Sequence, residues 1–173
     1  KLFINSKIIK KKRTVVIRGS GVNTALYRYL PERNGTPRIV LASRMLWDKG
    51  VGEFIEAAKL LKNKGLNYRF LLVGDPDPEN PMSIPVDTLM QWDREGIIEW
   101  KNHSNNIPEV FADANIVVLP SYREGLPKVL LEAASCGRAI VATDVPGCRE
   151  IVRNNENGFL IPPYDAASLA QAI

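Results

Sequence analysis

Short runs of β-branched and aliphatic residues alternate along this chain with longer stretches whose apolar positions recur at helical spacing. The runs at 38–42 (RIVLA), 68–73 (YRFLLV), 97–100 (IIEW), 116–119 (IVVL) and 139–143 (AIVAT) are of strand length. Each is bounded on at least one side by Gly, Pro, Asn or Asp, as buried strands are. A further run at 14–18, TVVIR, ends in the turn-rich Gly19-Ser20-Gly21-Val22-Asn23. Between the runs, Phe54, Ala57, Ala58 and Leu61 share one helical face after Gly50, and 86–95 reads as a second helix. A short helix begins near Ile107. Another covers Val129 to Ala134, with Pro127 in its first turn and Gly137 as its cap, and a helical pattern fills 165–173. Strands and helices in this alternation predict an α/β fold: a Rossmann-like, doubly wound, mostly parallel sheet.

The stretch richest in chemistry is 120–137, PSYREGLPKVLLEAASCG, which follows the run at 116–119. Glu124 falls in the strand-to-helix loop and Glu132 inside the helix. In an open α/β sheet ligands bind beyond the carboxyl ends of the strands, where helix N-termini offer unpaired N–H groups to anions. Gly125, lacking a Cβ, lets the backbone come close to a ligand. Carboxylates beside an anion site are explained by vicinal hydroxyls, because an ionised Glu is acceptor-only and takes two O–H donors at once. A ligand with phosphates in its middle and diols at both ends fits the constellation. A nucleotide-sugar is such a ligand.

Glu124 and Glu132, with seven residues between them in P-S-x-x-E-G-L-P-x-x-L-L-E-A-x-x-x-G, resemble the E-x7-E motif of the retaining GT-B glycosyltransferases, specifically glycosyltransferase family 4. The resemblance implies the C-terminal, donor-binding half of a GT-B fold and a hexosyltransferase activity that retains anomeric configuration. Ser43 to Gly50, SRMLWDKG, is similar to the family segment G-R-L-x-x-x-K-G, with Ser43 in place of Gly. Two cations at a strand end that precedes a helix make sense with a diphosphate between them. Arg44 and Lys49 are therefore expected to hold that group and neutralise it as it leaves. Gly125 and Leu126 are expected to offer backbone N–H groups, Glu124 to orient sugar hydroxyls, and Glu132 to bind the ribose diol. Trp100, Lys101 and Asn102 are candidates for contacts to the base. Gly21-Val22-Asn23 matches the family's G-V-D except for Asn23. Residues 144–152 resemble its G-G-x-x-E-[IL]-V, with Glu150 retained as a possible brace of the site loop, and 157–163 its N-G-x-L-x-x-P. The loop 76–81, with Pro76, Pro78 and Pro81, replaces a short turn and reads as semi-rigid, lining the sugar pocket or capping the sheet. Two rivals stand beside the transferase: another GT-B enzyme, such as a nucleotide-sugar epimerase or a phosphorylase, and a non-catalytic nucleotide-sugar binding module.

Length and composition narrow this further. The 173 residues suit one domain, and 45% hydrophobic with 24% charged residues is the balance of an ordinary globular protein. No stretch reaches the roughly 20 apolar residues of a spanning helix. Net charge is +4, and much of the excess sits in Lys7, Lys10, Lys11, Lys12 and Arg13. Residues 1–13 therefore read as a basic arm or interdomain linker, and 14–173 as the donor domain. The chain opens on Lys1 and stops within a helical pattern, so the expectation is a piece truncated at both ends, with the acceptor site in a missing N-terminal domain. The arm suits peripheral contact with an anionic membrane, which with a reducing environment implies the cytoplasm and the inner membrane face. Nucleic acid is not an expected partner, because no aromatic residues interleave with the basic ones. Cys136 and Cys148 have no metal-ligand spacing and read as buried thiols; His103, the sole histidine, reads as a solvated loop residue. No metal or cofactor is expected.

Overall fold

A single parallel sheet organises the chain. In the computed structural model, which describes residues 2–15 and 19–173, its strands are β1 (Arg38–Ala42), β2 (Arg69–Val73), β3 (Glu99–Lys101), β4 (Ile116–Leu119), β5 (Ala139–Thr143) and β6 (Gly158–Ile161). Their order is β3-β2-β1-β4-β5-β6. The helices are α1 (Leu2–Asn5), α2 (Val51–Asn63), α3 (Val86–Arg94), α4 (Ile107–Ala112), α5 (Lys128–Ser135), α6 (Pro146–Arg149) and α7 (Ala166–Ala172). This is the doubly wound, Rossmann-like order that the alternation predicts.

The central strands are apolar on both faces, as a parallel sheet covered on both sides requires. Ile39 and Leu41 join Phe54 and Ile55 of α2 in one cluster, where the Phe54 and Phe70 rings meet edge to face at 5.2 Å. Val40, between them, turns to the other face with Phe111, Leu130 and Cys148. Cys136 and Cys148 are both buried free thiols.

Three elements differ from the sequence-based expectation. β6 was not expected as a strand, because Phe159 at its centre is exposed and the apolar signal is short. The short α6 was likewise missed. Pro127 does not lie within the first turn but caps α5 from just outside, with ψ of 110°. Gly137 ends that helix in the left-handed conformation, φ 71°, as expected. The expected strand at 14–18 falls mostly outside the described residues, and Thr14 and Val15 carry no strand.

The segment before β1 is fastened to the sheet by polar bonds. Ser135 Oγ donates to Tyr27 O at 2.5 Å, and Asn115 Nδ2 donates to Glu32 Oε2 at 2.8 Å. The buried Arg138 donates to the carbonyls of Cys136 (2.9 Å), Ala114 (3.0 Å) and Leu30. Asn23 Oδ1 accepts from the N–H groups of Ala25 and Leu26 at 3.1 and 3.3 Å. A hollow of about 690 Å³ opens at the starts of β4, β5 and β6, beside Arg138. Among the described residues, no helix is long and apolar enough to cross a membrane.

Candidate functional site

The chain reverses its direction of travel across the sheet between β1 and β4. From β1 it proceeds to β2 on one side, and from β4 to β5 on the other, so the loops after these neighbouring strands diverge. A crevice at their carboxyl ends follows from that topology.

Glycines bring the loops together. Gly50, at φ 73°, presses against Pro120, where a Cβ would lie 2.2 Å from the Pro120 carbonyl oxygen. Gly147 in α6 lies against the Glu124 loop, its absent Cβ falling 2.5 Å from Glu124 O and 2.6 Å from Gly125 O. Gly125 is different: a Cβ there would meet nothing within 4 Å, so its backbone faces open space. Tyr122 ties the same loop to α2, donating its hydroxyl to Glu53 Oε1 at 2.8 Å and its N–H to Asp48 O at 3.0 Å. Burial, and then the Glu53 carboxylate, push the Tyr122 hydroxyl well above the usual phenol range. Tyr164, held at φ 62°, stacks on the Tyr122 ring at 3.9 Å.

Within this frame Lys49 Nζ donates to Glu124 Oε1 at 2.8 Å, with the two side chains only 22% and 13% exposed. These residues are 75 apart in sequence. A pair so shielded from water is screened far less by salt than one on the open surface, and removing either partner would strand a charge. Arg44 is the contrast. Its guanidinium is 60% exposed and donates from Nη1 to Asp77 Oδ2 at 2.7 Å. Each of the two cations expected to flank a diphosphate is thus paired with a carboxylate from another loop.

Arg44, Asp77 and Glu132 all line a crevice of about 430 Å³, with Ser43, Asp75, His103 and Val129. Glu132 is 8% exposed, and Lys128 approaches its Oε1 at 3.7 Å. The Tyr27 phenol is pushed up to about 12, first by burial and then by the neighbouring Glu132 carboxylate. Lys49, Glu124, Gly125 and Leu126 are not in the wall of this crevice but on the two loops beside it, after β1 and β4. The sequence-selected residues therefore fall into two adjoining groups.

Of the candidates for base contacts, Lys101 and Asn102 are exposed and Trp100 is partly buried. Trp100 donates its indole N–H to Gly74 O at 3.1 Å and packs against the core, so that group is already spent. His103 and Ser104 reach the crevice instead. His103 is exposed as expected, while its backbone N–H donates to Asp75 Oδ1 at 2.7 Å. The proline-rich loop does line the crevice, through Pro76, Asp77 and Pro78. Among the described residues, no group of three or more His, Cys, Asp or Glu is placed to hold a metal ion.

Comparisons with known proteins match most of the chain. The model of the family described as glycosyl transferases group 1 matches residues 36–173. The chain is 32% identical over 186 aligned residues to the N,N'-diacetylbacillosaminyl-diphospho-undecaprenol alpha-1,3-N-acetylgalactosaminyltransferase of Campylobacter jejuni, covering 99% of this chain and 47% of that protein. It thus spans about half the length of that relative. Anabaena HepE in complex with UDP superposes with a TM-score of 0.72 at 23% identity, over 87% of this chain and 44% of HepE. The C-terminal domain of a group 1 glycosyl transferase, LpcC of Francisella tularensis, superposes at 0.73 with 26% identity, over 87% of this chain and 85% of that one.

Proposed function

The chain belongs to the glycosyl transferases group 1 family, and on that premise we propose that it is the donor-binding domain of a retaining, family 4 hexosyltransferase acting on a nucleotide-diphosphate sugar. The observation that carries this reading is the shielded Lys49–Glu124 pair, 2.8 Å long, on the same two loops that flank the crevice of Arg44 and Glu132. A cation and a carboxylate side by side suit a ligand that carries phosphate next to hydroxyls. The UDP complex of the fold relative HepE makes UDP the first nucleotide to consider.

In this reading Glu132 accepts both ribose hydroxyls, and Arg44 with Lys49 holds the diphosphate without a metal. Glu124 orients the sugar, and the N–H groups of Gly125 and Leu126 face its oxygens. Transfer breaks the bond between the anomeric carbon and the diphosphate oxygen while the acceptor oxygen bonds from the same face. The acceptor's proton passes to the departing phosphate, and the two cations stabilise the charge that develops there. The acceptor site lies in an N-terminal domain that residues 1–13 join to this one, so the isolated chain binds donor without useful transfer. A basic arm suits a membrane-borne acceptor at the inner face of the cell membrane, in polysaccharide or glycolipid synthesis.

Calorimetric titration with UDP, GDP and ADP tests the reading. Saturable binding of one of them is expected, weakened about tenfold to hundredfold by Glu132→Ala through loss of hydrogen bonds to a charged acceptor. Binding of none, or a Glu132→Ala chain that binds as well as the parent, overturns it. Transfer by the 173-residue chain alone would overturn the two-domain part.

A further inference from the structure

Arg44 meets the crevice already engaged, and its partner is held in place. The Asp77 N–H donates to Ser83 Oγ at 3.0 Å, and the Met82 N–H donates to Asn80 Oδ1 at 2.9 Å. Backbone bonds stitch this loop to Arg44's own: Met45 N–H to Asp75 O (2.9 Å), Trp47 N–H to Met82 O (2.8 Å) and Ile84 N–H to Met45 O (2.9 Å). Three prolines stiffen it further. The Asp77 carboxylate, 31% exposed, is thereby fixed at the edge of the crevice, with one oxygen on Nη1 of a guanidinium whose remaining N–H groups have no protein partner among the described residues.

We infer that Asp77 is a built-in counter-ion: it occupies on Arg44 the place of a phosphate oxygen, yields that place to the donor's diphosphate, and retakes Arg44 as the nucleoside diphosphate leaves. The inference rests on the proposed role of Arg44. Exposure decides which pair can exchange. A solvated pair is weak, and a diphosphate offers the guanidinium fork two oxygens and more charge than one carboxylate does. The shielded Lys49–Glu124 pair has no such easy substitution. Once displaced, the fixed Asp77 carboxylate repels the bound diphosphate, which lowers affinity and favours release. Asp77 thus tunes diphosphate retention without touching the sugar.

Calorimetry on the 173-residue chain decides this. The crystallised LpcC domain, of which this chain covers 85%, shows that a unit of this extent stands alone. UDP, GDP and ADP, each beside its nucleoside, are titrated into the parent, Asp77→Asn, Asp77→Ser and Glu79→Gln. Glu79 is an exposed acid on the same loop with no hydrogen bond or ion pair among the described residues. Both Asp77 variants should bind the cognate diphosphate about threefold to tenfold more tightly and its nucleoside unchanged, while Glu79→Gln matches the parent. Unchanged or weaker diphosphate binding by the Asp77 variants overturns the inference, as does equal tightening by Glu79→Gln, which would mean a diffuse field. A parent that binds no nucleotide overturns the donor-site reading itself, and the counter-ion with it.

Discussion

Arg44 and Arg138 stand at opposite ends of one sheet and are treated by the fold in opposite ways. Arg138 is 3% exposed and satisfied by three neutral carbonyls, one of them Cys136 O at the negative end of α5. Arg44 stands in water against one charged carboxylate. The hollow at the Arg138 end is the larger, about 690 against 430 Å³. Size therefore does not single out the crevice that sequence-selected residues line. A guanidinium locked to carbonyls is part of the scaffold, whereas one that balances another charge can change partners when an anion arrives.

Exchanging the two arginines for methionine should separate these roles, and the largest effect belongs to the scaffold. Arg138→Met leaves the buried carbonyls of Cys136 and Ala114, and the half-buried one of Leu30, without this donor and should cost about 3–5 kcal/mol, a fall in Tm on the order of 10 °C. Nucleotide affinity of the folded protein should stay within about twofold. Arg44→Met should shift stability by less than about 1 kcal/mol while weakening diphosphate binding about tenfold or more. Thermal denaturation and calorimetry on both variants check the crossing. If both lose stability equally, or both lose ligand equally, the contrast fails.

Gly147→Ala sharpens it from the site side. A methyl group there meets the carbonyls of Glu124 and Gly125, so a loss of about 1–3 kcal/mol is expected from crowding. Unlike Arg138→Met, it should also weaken donor binding, because the displaced loop carries Glu124. A variant of parental stability and affinity would show that the approach of α6 does not position that loop.

The smallest effect is a null one at the thiols. Burial pushes Cys148 up to about 12 and raises Cys136 as well. Each shift leaves the neutral thiol, not the reactive thiolate, at pH 8. Mass spectrometry after iodoacetamide treatment at that pH should find both unmodified in the native protein and modified in denaturant. Rapid native labelling would mean that the layer around α6 opens readily.

Much of this was legible in the sequence, and the rest was hidden for a common reason. The runs at 38–42 and 116–119 announce β1 and β4 because both faces of each strand are buried. The exposed Phe159 removes that signature from β6. At the site, Arg44 and Glu132 were identifiable from local pattern and do line one crevice. The pairings were not. Asp77, 33 residues from Arg44, was not singled out, and Lys49 and Glu124, each expected at the site, are paired across 75 residues. Sequence pattern reports what one element presents, whereas ion pairs between loops depend on how far each loop travels after its strand ends. Trp100 illustrates the converse, since its promising position is spent on Gly74 O.

The stitching of 45–47 to 75–84 also bears on how such a protein can be re-engineered. Backbone bonds at Met45, Trp47 and Ile84 make the two loops one cassette. A shuffling experiment that exchanges only the segment after β1 would sever three main-chain bonds and strand Asp77. Recombination should therefore cut within β1 and α3, carrying the intervening residues as one inheritable block.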